Sequence, residues 1–174
     1  MAHFFKLFLL AFIALNLFGQ EMQFPVPAGN PNQLFYLQRT TNKNTIICAL
    51  NYRDSIFNNK NPIRVYWIRY EERGQLEELG FFQKKFAYGI KVKLIEANKY
   101  ELHFVSLKKV KMYLMKKEDD QFKVFIDVNG KHLILHSIYI SLVETNKMKP
   151  DIKFLEITGT DFSTKKTIKE RLKL

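Results

Sequence analysis

Apolar positions recur at a period of two through most of this chain, and that pattern predicts strands. Three early stretches, residues 34–38, 45–52 and 63–70, are rich in β-branched and aromatic side chains. Turn-formers separate them: Thr41-Asn42-Lys43-Asn44, then Asn58-Asn59-Lys60-Asn61-Pro62. In the first two stretches both alternating faces are largely apolar, the mark of strands covered on both sides. The third carries Arg64, Tyr66, Trp67, Arg69 and Tyr70, so its ends should reach solvent. Leu76, Leu79, Phe82 and Phe86 instead recur at helical spacing, with Gly89 where a C-cap belongs, and predict one amphipathic helix over 75–88. Gly80 costs such a helix about 1 kcal/mol relative to alanine, which favours a late start.

After Gly89 the period returns to two. Tyr100, Leu102 and Phe104 alternate with Glu101 and His103. Val110, Met112 and Leu114 alternate with Lys109, Lys111 and Tyr113, and Phe122, Val124, Ile126 and Val128 continue the pattern. Asp119-Asp120 predicts a turn. Asn129-Gly130 predicts a type I′ hairpin, because both central residues of that turn need positive φ, and it leads into a long apolar strand over 132–143. Residues 151–158 predict a last strand. Ser163 is placed to cap a short C-terminal helix, with Ile168 and Leu172 one turn apart on it. The expected fold is mainly β (β-rich α+β): an antiparallel sandwich or strongly curved sheet of roughly seven to nine strands, with one packed helix and a short C-terminal helix.

The N-terminus follows a different pattern. Lys6 precedes an apolar run over residues 7–18, broken only by Asn16, and Gly19, Gln20 and Glu21 follow it. A basic start, a short apolar stretch and a small exit residue are the parts of a secretory signal peptide. The run is shorter than the ~20 residues that span a bilayer, so a buried helix or uncleaved anchor fits less well. The expected organisation is a signal peptide over 1–20, a Pro-rich lead-in over 21–33 whose three prolines favour extended backbone, and a single β-rich domain over 34–174. The expected location is periplasmic or secreted.

Composition sharpens this in two ways. Cys48 is the only cysteine, which rules out an internal disulfide, so the fold must rest on its core; its apolar surroundings suit a small buried hydrophobe better than a reactive thiol. The formal net charge of +11, one less if Lys6 leaves with the signal peptide, attracts anionic lipid, polysaccharide or nucleic acid, although the lysines are spread widely enough to serve solubility alone.

No nucleophile elbow, phosphate-binding glycine loop or His-Glu-x-x-His pattern occurs. His132 and His136 would share one face of a strand, about 13 Å apart at about 3.3 Å per residue, too far to ligate one ion. Asp119 and Asp120 lack the neighbours that would split their pKa values for acid–base work. No metal and no cofactor are expected. The constellation with chemical content is early and polar: Arg39, Asn42, Asn44, Asn51 and Arg53 at strand margins and in a turn. An arginine fork suits carboxylate or phosphate, and an asparagine amide offers donor and acceptor in one plane. Against that, asparagines commonly build turns and an arginine stem commonly packs on a neighbour.

Arg39-x-x-Asn42-x-Asn44-Thr45-Ile46, Pro62-Ile63-x-Val65-Tyr66-Trp67-Ile68-x-Tyr70 and Ala87-Tyr88-Gly89 together resemble a family of uncharacterised secreted bacterial proteins, domain of unknown function 4833. Cys48 stands where a second aromatic is expected in that pattern. The resemblance implies export and a single domain, and brings no activity or catalytic residue with it. The residues themselves place a ligand site at Arg39, Asn42, Asn44, Trp67 and Tyr88: the Arg/Asn turn joins two central strands, Trp67 lies on a third, and Tyr88 ends the helix that packs on them. The competing arrangement makes Trp67 ordinary core among Phe82 and Phe86. The expected function is a non-enzymatic binding or envelope-associated module for an anionic or carbohydrate-like ligand. The alternative is an unrecognised secreted enzyme, such as a hydrolase, built on Arg39, the asparagines and Tyr88; it is less favoured because no activated nucleophile is visible. An anionic envelope component or polysaccharide is the favoured partner, peripheral membrane contact is compatible with the charge, and nucleic acid is not favoured.

Overall fold

A computed structural model describes residues 24–40, 42–117, 119–143 and 151–174, so the expected signal peptide lies outside the described residues. The described residues form one large curled mixed sheet, a half-barrel, with a single short α-helix. In chain order the strands are β1 (Gln33–Arg39), β2 (Asn42–Leu50), β3 (Tyr52–Arg53), β4 (Ile56–Phe57), β5 (Ile63–Arg69), β6 (Gln75–Glu78), β7 (Ile90–Glu96), β8 (Lys99–Phe104), β9 (Met112–Lys116), β10 (Phe122–Val128), β11 (Lys131–Leu142), β12 (Ile152–Asp161) and β13 (Thr167–Leu172). The helix α1 (Phe81–Phe86) links β6 to β7. The sheet runs β6-β5-β2-β1-β11-β10-β9-β8-β7, with β12 and then β13 branching from β11. β3 and β4 make a separate hairpin, whose Phe57 stacks on Phe122 at 4.6 Å.

The strand count exceeds the expected seven to nine because β3, β4, β6 and β13 form where the sequence pattern predicts turns or helix. The sheet is also not purely antiparallel. β1 runs parallel to β11, with Tyr36 opposite Ser137 and Arg39 opposite Ile140. β11 therefore serves three neighbours. Lys131–Ile134 pair with β10, residues 137–140 pair with β1, and β12 runs antiparallel along most of the strand. The register shifts between Leu135 and Ser137, where β10 gives way to β1. An extra residue at such a point bends a strand, which suits a strand that must leave one partner for another.

The core fills the concave face. Phe35, Leu37, Ile46, Leu102, Phe104 and Met112 are all fully buried there. β2 is apolar on both faces, as its sequence implies: Ile46 and Cys48 face the main core, while Ile47 and Ala49 form a second cluster with Tyr66 on the outside. Part of the lead-in covers this outer side. The Pro25 carbonyl accepts from Gln38 Nε2 at 2.8 Å, the Phe24 ring meets Tyr139 edge-on at 5.3 Å, and Asn30 Nδ2 donates to the Tyr66 hydroxyl at 3.0 Å. The Asn129-Gly130 turn forms as expected, with φ of 51° and 76° between Val128 and Lys131.

Two helical expectations are corrected. Residues 75–88 are not one helix: Gln75–Glu78 pair with β5, and only Phe81–Phe86 are helical. The ladder with β5 defines the strand, exposed ion pairs cross it, with Glu78 Oε1 2.6 Å from Arg64 Nη2 and Glu77 Oε2 2.9 Å from Arg69 Nη1, and Gly80 then sits at the helix N-cap. The expected C-terminal helix is the strand β13 instead. The Asp161 carboxylate accepts from the backbone N–H groups of Ser163 (3.0 Å) and Thr164 (2.7 Å), and Lys165 takes φ of 59°. Those bonds turn the chain back on itself, so Ser163 caps nothing. Ile168 and Leu172 share a face in a strand just as they do in a helix, because a spacing of four satisfies both periods. The edge strand β13 is lined by charge: Lys169 and Arg171 both reach Glu156, at 3.3 and 3.2 Å, an arrangement that discourages pairing with another chain.

Burial pushes the Cys48 thiol well above its ordinary range. The folded protein then keeps this proton where the unfolded chain loses it. The thiol's contribution to stability is complete below the unfolded value, about 8.5, and is lost as pH rises above it, by at most about 1.4 kcal/mol per unit. A Cys48→Ala variant should therefore show a shallower alkaline loss of stability than the parent in urea melts between neutral and alkaline pH. The native thiol should also resist an aromatic disulfide reagent until denaturant is added; prompt reaction would show that the strand opens.

Candidate anion-binding site

Arg39 ends β1 and points to the concave side, where two aromatic rings flank it. Its guanidinium carbon lies 5.7 Å from the Trp67 ring centroid and 5.6 Å from that of Tyr88. The two rings meet each other edge-on at 5.4 Å. Arg39 Nη1 donates to the Tyr88 hydroxyl at 2.5 Å. Strand pairing explains the convergence. Leu37 is opposite Ile46 and Ile46 is opposite Trp67, so one row of side chains runs across β1, β2 and β5. A register shift between Leu37 and Arg39 gives Arg39 its place at the end of that row.

Tyr88 reaches the same place from just beyond α1. The Tyr88 and Ala87 N–H groups both donate to the Gln83 carbonyl, at 2.8 and 3.1 Å, closing the helix. The Gln83 side-chain oxygen accepts from Trp67 Nε1 at 3.2 Å and from the Gly80 N–H at 2.8 Å. One glutamine thus ties the helix start to the sheet. Sequence reasoning missed it, although a glutamine within reach of the only tryptophan's N–H donor was a usable signal.

The five sequence-derived candidates divide into two groups. Arg39, Trp67 and Tyr88 come together. Asn42 and Asn44 begin β2 rather than lying in a turn, and their amides are used within the protein. Asn42 Oδ1 accepts from the Asn44 N–H at 3.2 Å. Asn44 Oδ1 accepts from the Glu71 N–H at 3.2 Å, and Glu71 Oε1 accepts from the Lys43 N–H at 3.0 Å. These bonds moor the short 3-10 turn Tyr70–Glu72 against β2. Trp67 is only 3 % exposed, so it presents no open face to a ligand and acts as a wall behind Arg39. The packing partners anticipated for it, Phe82 and Phe86, are not in the core; they are 74 % and 61 % exposed.

The electrostatics of the group are one-sided. Arg39 is half-buried, and among the described residues no carboxylate lies within salt-bridge distance of it. Its Nε is buried without a hydrogen-bond partner. Tyr88 is nearly buried, and that burial raises its hydroxyl pKa while Arg39 pulls it down, leaving a net upward shift. The phenol therefore stays protonated at neutral pH. It accepts from Arg39, so its own proton points elsewhere, and no acceptor for it is found among the described residues. A cation and a hydroxyl donor thus converge with no anion between them, flanked by apolar walls that strengthen any charge placed there.

Elsewhere, a cleft of about 530 Å³ lies against Phe125, His132 and Phe162, with Lys117 and Lys165 over the Phe162 ring at 5.1 and 4.2 Å. His132 stacks on Phe125 at 5.2 Å, and its Nδ1 lies 2.7 Å from Asp127. His136 is engaged separately, its Nε2 3.1 Å from the Thr160 hydroxyl. Among the described residues no cluster of His, Cys, Asp and Glu has the makings of a metal site.

No curated protein and no solved structure matches the chain. A family model does, across residues 35–171, a span that includes Arg39, Trp67 and Tyr88. The protein belongs to the family described as Domain of unknown function (DUF4833).

Proposed function

We propose that the protein is an exported, non-enzymatic binding module that takes an oxyanion, the carboxylate of an acidic sugar or a phosphate group, at Arg39 and Tyr88. The observation that carries this reading is the half-buried Arg39 guanidinium, held between two rings with no carboxylate beside it among the described residues. A charge kept there at a desolvation cost is accounted for if an anion completes it. The Tyr88 proton supplies a second donor toward the same place. Export is supported by the N-terminal pattern of Lys6 and the apolar run over 7–18. A periplasmic or extracellular setting also offers anionic polysaccharide and envelope phosphate as ligands. Trp67 buttresses the arginine, and the asparagines shape the strand start.

Trp67 is the only tryptophan, so its fluorescence reports on its neighbour Arg39 directly. Titration with oligogalacturonate and with inorganic phosphate should change that emission in a saturable way. Arg39→Met keeps an apolar stem between the rings and removes the charge. Loss of charge-assisted hydrogen bonds worth about 1.5–3 kcal/mol should weaken binding by about tenfold or more, with the melting temperature nearly unchanged. Equal affinity in the parent and in Arg39→Met would end the proposal.

A further inference from the structure

The three phenylalanines of α1 point outward. Phe81, Phe82 and Phe86 are 68 %, 74 % and 61 % exposed, and no residue of the helix is buried. Leu76, on the adjoining strand β6, is 70 % exposed. Stability alone would turn such rings inward, and a contiguous exposed apolar patch ordinarily marks a surface that meets something.

The charges around the rings identify what that is. α1 contains no acidic residue and carries Lys84 and Lys85. Lys85 Nζ stands 5.4 Å from the Phe81 centroid and 5.3 Å from that of Phe86, a cation set among the rings. Phe86 also borders a groove of about 640 Å³ that continues past Val105 and Leu107 to Lys108 and Lys109, with Asp151 and Leu174 also lining it. Glu78, the nearest acid on β6, is engaged by Arg64 at 2.6 Å and by Lys84 at 3.7 Å. Lys85, Lys108 and Lys109 have no carboxylate at salt-bridge distance among the described residues. Protein–protein interface centres are depleted in lysine. Aromatic rings interleaved with lysine are what the headgroup layer of an anionic membrane accommodates: the rings sit at the apolar boundary while the ammonium groups meet lipid phosphates.

We infer that α1 and the adjoining Lys108-Lys109 loop form a docking surface for an anionic phospholipid bilayer. The helix lies on the surface with Phe81, Phe82 and Phe86 at headgroup depth. Tyr88 and Gln83 belong to the same segment, so docking brings the Arg39 site next to the lipid. The docking surface does not depend on what Arg39 binds.

Co-sedimentation of the mature chain with vesicles of phosphatidylcholine alone, and of phosphatidylcholine with phosphatidylglycerol, tests this. The parent should bind the phosphatidylglycerol vesicles about tenfold more tightly, and added salt should weaken that binding because exposed charges are screened beyond about 10 Å at 0.1 M. The combined variant Phe81→Ser, Phe82→Ser, Phe86→Ser alters only exposed side chains. It should keep the parent's circular dichroism and lose binding by about tenfold or more at every salt concentration. Lys85→Gln, Lys108→Gln, Lys109→Gln should bind more weakly and show a flatter salt dependence. The phenylalanine variant should keep the saturable Trp67 emission response to oligogalacturonate, which separates this surface from the oxyanion site. Failure of the parent to bind anionic vesicles, or undiminished binding by the phenylalanine variant, overturns the proposal. So does a parent dimer that the phenylalanine changes convert to monomer, which would make a second copy of the chain the occupant.

Discussion

Replacing Trp67 with alanine should remove about 3–5 kcal/mol of stability, the cost typical of deleting a large buried aromatic. The ring is 3 % exposed and lies within the β2–β5 pairing, opposite Ile46. Its removal opens a cavity that Tyr88, held 5.4 Å away by the helix end, is poorly placed to fill. It also leaves the Gln83 side chain without its indole donor and strips Arg39 of one of its two aromatic flanks. Trp67→Phe separates these contributions. It retains much of the buried ring and loses the 3.2 Å hydrogen bond, so it should cost roughly 1–2 kcal/mol. Urea denaturation followed by far-UV circular dichroism measures both. A loss below about 1 kcal/mol for Trp67→Ala would show that the sheet closes over the gap, and the cluster would then not be the rigid wall described above.

Gly89→Ala should be nearly as damaging, for a steric reason. A β-carbon at Gly89 would lie 1.9 Å from the Lys84 carbonyl oxygen and 2.9 Å from its carbon, and both atoms are backbone. No rotamer change relieves that contact, so the end of α1 must move. The expected cost is about 3 kcal/mol, the upper part of the range for overpacking. Tyr88 is the preceding residue, so its 2.5 Å bond with Arg39 should break as well, and the Trp67 emission should shift with it. Gly130→Ala is the control. There φ is +76° with open space around the position, so only the left-handed conformation is penalised, by roughly 1 kcal/mol. Equal effects for the two substitutions would mean that the close approach at Gly89 relaxes easily.

Much of the fold was legible because the period of two is hard to imitate. Val124 and Ile126 in β10 and Leu133 and Leu135 in β11 alternate inward as their spacing implies, and Asn129-Gly130 makes the turn its chemistry demands. The errors came where one spacing fits two structures. Ile168 and Leu172 satisfy both a helix and a strand, and only the Asp161 turn bonds decide between them. Leu76, Leu79, Phe82 and Phe86 read as a buried helical stripe, yet only Leu79 is buried. Hydrophobic periodicity says which residues share a face and not what that face meets, so an outward-turned aromatic face reads like an inward one. The parallel β1–β11 pairing was invisible for another reason: no local signal joins residues about 100 positions apart. At the site, Arg39, Trp67 and Tyr88 were reachable from their places at a strand margin, on a third apolar strand and at the helix end. The asparagines were drawn into the site by their chemistry, while backbone N–H groups and Glu71 already employ them.

The divided strand β11 has a consequence for how the molecule comes to exist. Its residues 137–140 pair with Tyr36–Arg39, while its start pairs with β10 and its length with β12. The hairpin β10–β11 can close locally within microseconds, but the parallel seam must bring together chain segments about 100 residues apart. Until that seam forms, the β1–β2–β5 portion ends in an unpaired strand with its apolar rows uncovered. Refolding should therefore be slow for a chain of this size, in the range of milliseconds to seconds. Its rate-limiting step should be the joining of two half-sheets, and substitutions at Tyr36 or Ile138 should change the refolding rate more than those at the quickly formed Asn129-Gly130 turn.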